Sequence, residues 1–520
     1  MCMPNGAYKF YDRYFYAALL VTLLSLAYWI AFSSNAYGTF HEYDDLGIFA
    51  TNMWFYLHYP AYAHGLQLLV FGNHLSPLQL LVLPAFYLFQ NAMTLLVIQD
   101  AVLALAAFAV FLVSRSLLGR PRLAFFLFLA FIINPGLYGM VIFDYHLESF
   151  IVLFYVLAFY FYMKNRAGPF LLCLILLLST IEEAPFLGAT LGIGLLLFED
   201  FYTENWQIRK KRLRMAMAAV IISVIFYVLY SGITSALIRE YGAGAYPSLP
   251  PYLEVANKLP QLAGGLASAN ASNALNTAFS HYPAYVAYAL AAGIFFFGIA
   301  VLFGPITTII LVSPWLVYGL LENVGFFFVF QQYFGFVLGG SVVGSLFGML
   351  MVLEGKGFLA SHMKRRDGKN YSNTGMAYII ISALVMNCLL LLFYSHFVLS
   401  SNVNNLSQDF LFNVNASQKA YYSQIYSLLN HVPGNASLAT EYFILPHAFN
   451  RRYIEDIGYT ETEWYFKPQF VLVDFNPNVS MNAYTGSGDA IAYLQSNNYS
   501  LYMENGTAML YEMKARNGSS

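Results

Sequence analysis

Asp44 and Asp45 lie in His41-Glu42-Tyr43-Asp44-Asp45-Leu46-Gly47-Ile48-Phe49, between an apolar run and an aromatic, amphipathic stretch at 50–59. A carboxylate beside such an interfacial helix could face an acceptor nucleophile and a lipid headgroup together. It could also simply cap the helix that follows. Asp45 is the favoured catalytic candidate and Asp44 the second. In Asp144-Tyr145-His146-Leu147-Glu148 the three polar side chains share one side only if the backbone is extended, whereas a helix aligns Asp144 with Glu148 and turns His146 away. Asp144, His146 and Glu148 could hold a divalent cation such as Mg or Mn, hydrogen-bond sugar hydroxyls, or form a hydrated loop. His74 precedes Ser76-Pro77 at the start of an apolar run, either as a site residue or as a helix-entry residue. Glu182-Glu183 interrupts another apolar run with no base nearby in sequence, so the pair needs water, protons or a partner. Glu322-Asn323 ends a further run, and Asp100 beside Gln99 needs only one internal hydrogen-bonded pair.

The elements that must position these groups follow from composition. Of 520 residues, 59% are hydrophobic, 18% aromatic and 10% charged. Soluble domains carry about 25% charged residues, so a soluble enzyme is excluded. The net charge of -2 provides no basic field for nucleic acid. Cys2, Cys173 and Cys388 are too few for a disulfide scaffold. Apolar runs near the length of a bilayer crossing recur from residue 14 to residue 399, which predicts a polytopic all-α bundle of 11–13 spans.

Basic residues collect on the cytoplasmic side of membrane proteins. Here they fall into five clusters: Lys9 and Arg13, Arg115 to Arg122, Lys164 and Arg166, Arg209 to Arg214, and Lys356 to Lys369. Placing these inside puts the N-terminus in the cytoplasm, with cytoplasmic loops near 114–122, 164–168, 200–214 and 354–375 and an external loop at 34–75. Spans are expected near 14–33, 122–140, 149–163, 169–181, 184–199, 215–237, 284–302, 305–321, 334–353 and 376–399. Residues 65–113 must then cross an odd number of times, although they read as one short run and one full span. Every candidate above except Asp100, which lies in mid-span, falls at the outer end of its span in this arrangement. One outward-facing cavity would gather them.

The chain divides into a membrane module, 1–399, and a tail, 400–520, whose Asn-, Ser- and Tyr-rich composition predicts a small extracytoplasmic α/β domain. Helical patterns fit 417–429 and 489–496, strand patterns fit 470–475, 499–503 and 507–513, and Glu504-Asn505-Gly506 supplies a hairpin turn. Seven Asn-x-Ser/Thr sequons in the tail, from Asn405 to Asn517, are compatible with an outside location.

These segments together give the chain a family likeness. It resembles the domain of unknown function 2079 family of polytopic membrane proteins, and more distantly the GT-C glycosyltransferases, such as protein O-mannosyltransferases and lipid A aminoarabinose transferases. The resemblance rests on Asp45-Leu46-Gly47-Ile48-Phe49, Gly72-Asn73-His74-Leu75-Ser76-Pro77, Phe143-Asp144-Tyr145-His146-Leu147-Glu148 and Ile181-Glu182-Glu183. Ser313-Pro314, Tyr333 and Leu445-Pro446-His447 with Arg451 or Arg452 are further similar positions. Asn73 stands where the family usually has an acid, and Ile181 where it commonly has a Lys that could contact phosphate.

The resemblance implies a plasma-membrane transferase taking a sugar from a polyprenyl-phosphate donor, with Asp45 as general base and Asp44 as understudy. His74, Asp144, His146, Glu148, Glu182, Glu183, Glu322 and Tyr333 would contact donor, metal or sugar, and the acceptor would be a glycan, lipid or protein. The competing readings are an ion- or proton-coupled transporter and a non-catalytic surface protein that binds through its tail.

Overall fold

The computed structural model describes residues 12–42, 44–59, 70, 74–202, 206–241, 310–314, 332–354, 381–385, 387–390, 416–457, 467–474, 494 and 496–514. The membrane half consists of helices α1 (Arg13–Gly38), α2 (Asp44–His58), α3 (Gln79–Leu88), α4 (Met93–Leu118), α5 (Pro121–Ile132), α6 (Pro135–Ile142), α7 (Glu148–Met163), α8 (Ala167–Leu178), α9 (Ala184–Tyr202) and α10 (Trp206–Tyr241). A 3-10 turn, Gln332–Phe334, leads into α11 (Gly335–Glu354).

Helix α4 is the central post. Its most apolar stretch is 67% buried, against 22% for α1 and α10, and it packs on α1, α5 and α7. The outer helices carry their apolar side chains outward, for example Leu20, Leu23 and Leu24 on α1 and Ile221, Val224, Ile225, Val228 and Leu229 on α10. In water such faces would be a liability, but in hydrocarbon they match the solvent. Among the described residues three helices, α1, α4 and the stretch 206–233 of α10, are long and apolar enough to span a membrane, and the pair α5–α6, bent by 48°, can supply a fourth.

The bend has a chemical cause. Asn134-Pro135 interrupts the run, the Asn134 side chain accepts from Gly136 N–H at 2.8 Å, and Pro135 opens α6 without needing an amide partner. The expected span at 122–140 is thus two helices that end at residue 142. The awkward stretch 65–113 resolves in its described part into the short α3 and the full-length α4, which extends past the expected boundary to Leu118 and carries Arg115 in its last turn, the favoured place for a cation. Asp12 caps α1 by accepting from Tyr14 and Phe15 N–H and pairs with Arg115 at 3.1 Å. The cluster Arg209 to Arg214, expected in a loop, lies inside α10, where buried Arg212 donates to the Met163 carbonyl at 2.5 Å. The expected spans at 284–302 and most of 305–321 and 376–399 lie outside the described residues.

The tail carries α12 (Ala416–Leu429), α13 (Leu445–Ala448) and strands β1 (Leu438–Thr440), β2 (Ile454–Asp456), β3 (Phe470–Asp474), β4 (Tyr499–Asn505) and β5 (Ala508–Met513). Their order is β2-β1-β3-β5-β4; β1 is parallel to β2 and β3, while β3-β5 and β5-β4 are antiparallel. The α/β tail is thus present as expected, including the β4–β5 hairpin with Gly506 at φ 66°. β1 and β2 were not foreseen, because three residues are too few to show a strand period. The helix expected at 489–496 lies largely outside the described residues.

Candidate active site

Helix α2 begins at Asp44, earlier than the amphipathic stretch suggests, so Asp45 sits in its first turn. The following amide, Leu46 N–H, donates to Asp144 Oδ2 at 2.8 Å. Asp144 therefore caps α2 from another chain segment, a polar partner for one of the four amides a helix start leaves open. The same contact brings His146 to Asp45: Nε2 lies 3.0 Å from Asp45 Oδ2, and Nδ1 lies 3.0 Å from Asp144 Oδ1. The segment from Asp144 to His146 is outside any helix, so the non-helical alternative of the sequence reading is the one adopted. Glu148, by contrast, opens α7.

A residue of the membrane core holds this loop. Gln99, on α4, donates from Nε2 to the carbonyls of Met140 at 3.0 Å, Phe143 at 3.4 Å and Asp144 at 3.1 Å. Its Oε1 accepts from His146 N–H at 2.7 Å and from Ser149 Oγ at 3.0 Å. One amide side chain thus satisfies backbone groups across the α6–α7 connection and fixes where His146 points. Sequence reasoning gave Gln99 no such role, although a Gln-Asp pair in mid-span was the available signal. Asp100 accepts from Ser33 Oγ at 3.0 Å, the single internal pair expected of it.

A second group lies nearby. His74 Nδ1 is 2.8 Å from Glu182 Oε1, and Leu75 N–H donates to Glu182 Oε2 at 2.8 Å. Both residues lie between helices, and Glu182 finds the base that its own neighbourhood in sequence lacks. Burial alone would lower the His74 pKa, but the adjoining Glu182, with Glu148 and Glu183 behind it, raises it to about 10. Burial pushes Glu182 up, but the charge and hydrogen bond of His74 outweigh it and bring the carboxyl below its ordinary value. Glu183 moves up, first through burial and then through Glu182.

The two groups act on each other electrostatically. Glu148 feels the charges of both His146 and His74 as well as Asp45, and Tyr333 feels Glu148, Glu183, Asp45 and Glu182. Tyr333 belongs to the turn before α11, and Gly335 explains how that turn comes so close: a Cβ there would lie 2.5 Å from the Glu148 carbonyl oxygen. Both Glu148 carboxylate oxygens and Glu183 Oε2 are buried without a hydrogen-bond partner. In the Asp144 loop, burial first and Asp45 next raise the Asp144 pKa, against the opposing charge of His146, to about 7. Burial, with Asp144 and Asp100, likewise raises Glu42.

The structure therefore brings together Asp45, His74, Asp144, His146, Glu148, Glu182, Glu183 and Tyr333. Asp44 supplies the first residue of α2, and Glu322 lies outside the described residues. Among the described residues the group able to offer ligand atoms to one metal ion is Asp45, Asp144 and His146, whose atoms lie within 4.8 Å of one another. Asp45, rather than the Glu148 of the sequence reading, lies with Asp144 and His146 in that group.

The tail reaches this site. Tyr37 stacks on His447 at 4.2 Å and donates to the Pro446 carbonyl at 3.3 Å, and a Cβ on Gly47 would meet Leu445 at 2.7 Å. Phe40, at φ 56°, is buried among Tyr422, Tyr426, Phe443 and His447. Burial lowers the His447 pKa to about 3. Arg451 is spent on tail carbonyls, including Val432 at 3.3 Å, whereas Arg452 lies over the Tyr59 ring at 5.4 Å.

A chain with lipid-facing apolar helices around a buried cluster of acids and imidazoles is an integral membrane protein with a polar site at its helix ends. The family model described as "Predicted membrane protein (DUF2079)" matches residues 32–509, and the chain belongs to that family. No curated protein matches it. Among solved structures it is similar to ArnT from Cupriavidus metallidurans bound to undecaprenyl phosphate, at 12% identity and a TM-score of 0.47, over 97% of this chain and 99% of that one. The apo form of the same ArnT gives 11% identity and a TM-score of 0.47, over 95% and 98%. That likeness is too distant to bear on what this chain does.

Proposed function

We propose that this chain is a glycosyltransferase of the plasma membrane that moves a sugar from a polyprenyl-phosphate donor to a hydroxyl acceptor on a glycan, lipid or protein. The observation that carries the reading is the position of Asp45. It lies at the start of an interfacial helix, its side chain is 25% exposed, and it touches the fully buried His146. It is the accessible end of a carboxylate–imidazole–carboxylate line, in which Asp45 can take a proton and share it with His146, whose positive charge Asp144 compensates.

In the reaction the acceptor hydroxyl gives its proton to Asp45 and its oxygen forms a bond to the anomeric carbon from the side opposite the phosphate. The bond from that carbon to the phosphate oxygen breaks, and polyprenyl phosphate departs with the electron pair, inverting the anomeric centre. Glu148, Glu183 and Tyr333 offer hydrogen-bonding groups for the sugar, and His74, held protonated by Glu182, supplies positive charge toward the phosphate. The distribution of basic residues supports a cytoplasmic N-terminus, an extracytoplasmic tail and, with them, a site on the outer face. The site groups lie near the starts of α2, α4 and α7 rather than along a path between the two ends of α4, which favours transfer over transport.

The test is incubation of the full-length protein in nanodiscs with labelled polyprenyl-phosphate sugars and a membrane extract as acceptor source. Label appearing in an acceptor, with release of polyprenyl phosphate, is the expected result. Ion or proton flux through proteoliposomes without any transfer would replace this reading with the transporter.

A further inference from the structure

We infer that Asp45, Asp144 and His146 form a divalent-cation site, and that the cation carries the phosphate of the donor into the pocket. The role given to the donor rests on the transfer reading above, whereas the cation site stands on its own geometry.

The cluster joins two carboxylates and an imidazole from two distant segments, with ligand atoms within 4.8 Å of one another. Oxygen ligands with one imidazole suit Mn²⁺ best and Mg²⁺ acceptably. Asp144 Oδ1 and His146 Nε2 are buried and make no hydrogen bond, although each lies 3.0 Å from an atom of the neighbouring ligand residue. A buried polar atom without a hydrogen-bond partner calls for an explanation, and an ion held by the cluster supplies one.

Their supports are already fixed. Asp144 Oδ2 is occupied by Leu46 N–H, and Leu46 is the residue after Asp45, so one hydrogen bond sets two ligands at once. Gln99 Oε1 holds the His146 amide from the other side. Partners of this kind orient metal ligands and raise affinity. Three protein ligands leave coordination positions open, and the partial exposure of Asp45 marks the accessible side.

A divalent cation bound by Asp45, Asp144 and His146 would supply positive charge toward the donor phosphate. A carboxylate has two oxygens, so Asp45 can ligate with one and accept a proton on the other.

The experiment is titration of the full-length protein in nanodiscs with Mn²⁺ alone, read by electron paramagnetic resonance. One Mn²⁺ per chain is expected to bind saturably. Asp45→Asn and His146→Gln should each weaken that binding at least about tenfold, while Leu20→Ala on the outward face of α1 leaves it unchanged. If His146→Gln fails to fold, Asp45→Asn at its partly exposed position still decides. Absence of stoichiometric binding, or equal binding by wild type and Asp45→Asn, overturns the site. Mn²⁺ bound in this way without any sugar transfer overturns the transfer reading and leaves the cation site standing. Transfer at full rate in chelator, with no Mn²⁺ bound, does the reverse.

Discussion

Phe40 and Phe449 are exchanged between the two halves of the molecule. Phe40, from the connection between α1 and α2, is buried in the core of the tail beside Tyr426 at 4.6 Å. Phe449, from the tail, is buried in the core of the membrane half beside Phe86 at 5.9 Å. The segment from Phe40 to Gly47, which includes Asp45, is therefore gripped at both ends by the tail, at Phe40 directly and at Gly47 through Leu445.

Removing either ring should loosen that grip. Phe40→Ala and Phe449→Ala are each expected to destabilise by about 3–5 kcal/mol, the cost of emptying a buried aromatic site. Thermal unfolding in nanodiscs measures the loss, and limited proteolysis should release the tail more readily in both variants. A melting temperature unchanged by Phe40→Ala would show that the ring is not seated in the tail core.

Gln99→Leu should injure the site more than the fold. It leaves the carbonyl of Asp144 and the amide of His146 without their partner, at about 1–3 kcal/mol for each buried group. The α6–α7 connection should then lose its fixed position, lowering Mn²⁺ affinity although Gln99 is not a ligand. Gln99→Glu keeps the acceptor for His146 N–H and should restore part of that affinity. A merely structural role would move stability in both variants and leave affinity alone.

The His74–Glu182 pair sets a pH dependence. His74 holds its proton up to about pH 10 instead of its ordinary 6.5, so its stabilising contribution is complete below 6.5 and is lost as pH rises toward 10. Glu182 is displaced below its ordinary 4.5, so its contribution is present above 4.5 and is lost as pH falls through the lowered value. The two leave a plateau between 4.5 and 6.5. Glu183, displaced upward from its ordinary 4.5, loses stability as pH rises from that value, so it tilts the plateau downward and adds to the alkaline loss. Melting temperature against pH should fall on the alkaline side in wild type and fall less steeply in His74→Gln. Identical alkaline limbs would contradict the pairing.

In the tail, Tyr421 donates to Asp474 Oδ2 while Thr507 Oγ1 donates to Asp474 Oδ1 at 2.7 Å. Tyr421→Phe should cost about 1.5–3 kcal/mol, the range for a hydrogen bond to a charged group. Chemical denaturation of the full chain, followed by tail fluorescence, checks this.

Much of this arrangement is legible in the sequence because lipid imposes strict rules. A charge is costly within an apolar run, so Asp45, His74, Asp144, His146, Glu148, Glu182 and Glu183 stand out individually. Their meeting is less legible, since it depends on contacts such as His74 with Glu182 across 108 positions. Gln99 escapes because an uncharged amide in a membrane helix is ordinary until its five hydrogen bonds are seen. Glu148 enters the expected metal set by its spacing from Asp144, whereas the α2 start delivers Asp45 by a route no local pattern encodes. The break at Asn134-Pro135 is marked by its proline, but an apolar run on both sides of it reads as one span.

The most direct measurement is the rate of label transfer from a polyprenyl-phosphate sugar by wild type and Asp45→Asn in nanodiscs at matched stability. The account predicts a fall of about 10²–10⁴-fold for Asp45→Asn, the range that general-base assistance supplies. Transfer by Asp45→Asn at the wild-type rate would contradict it.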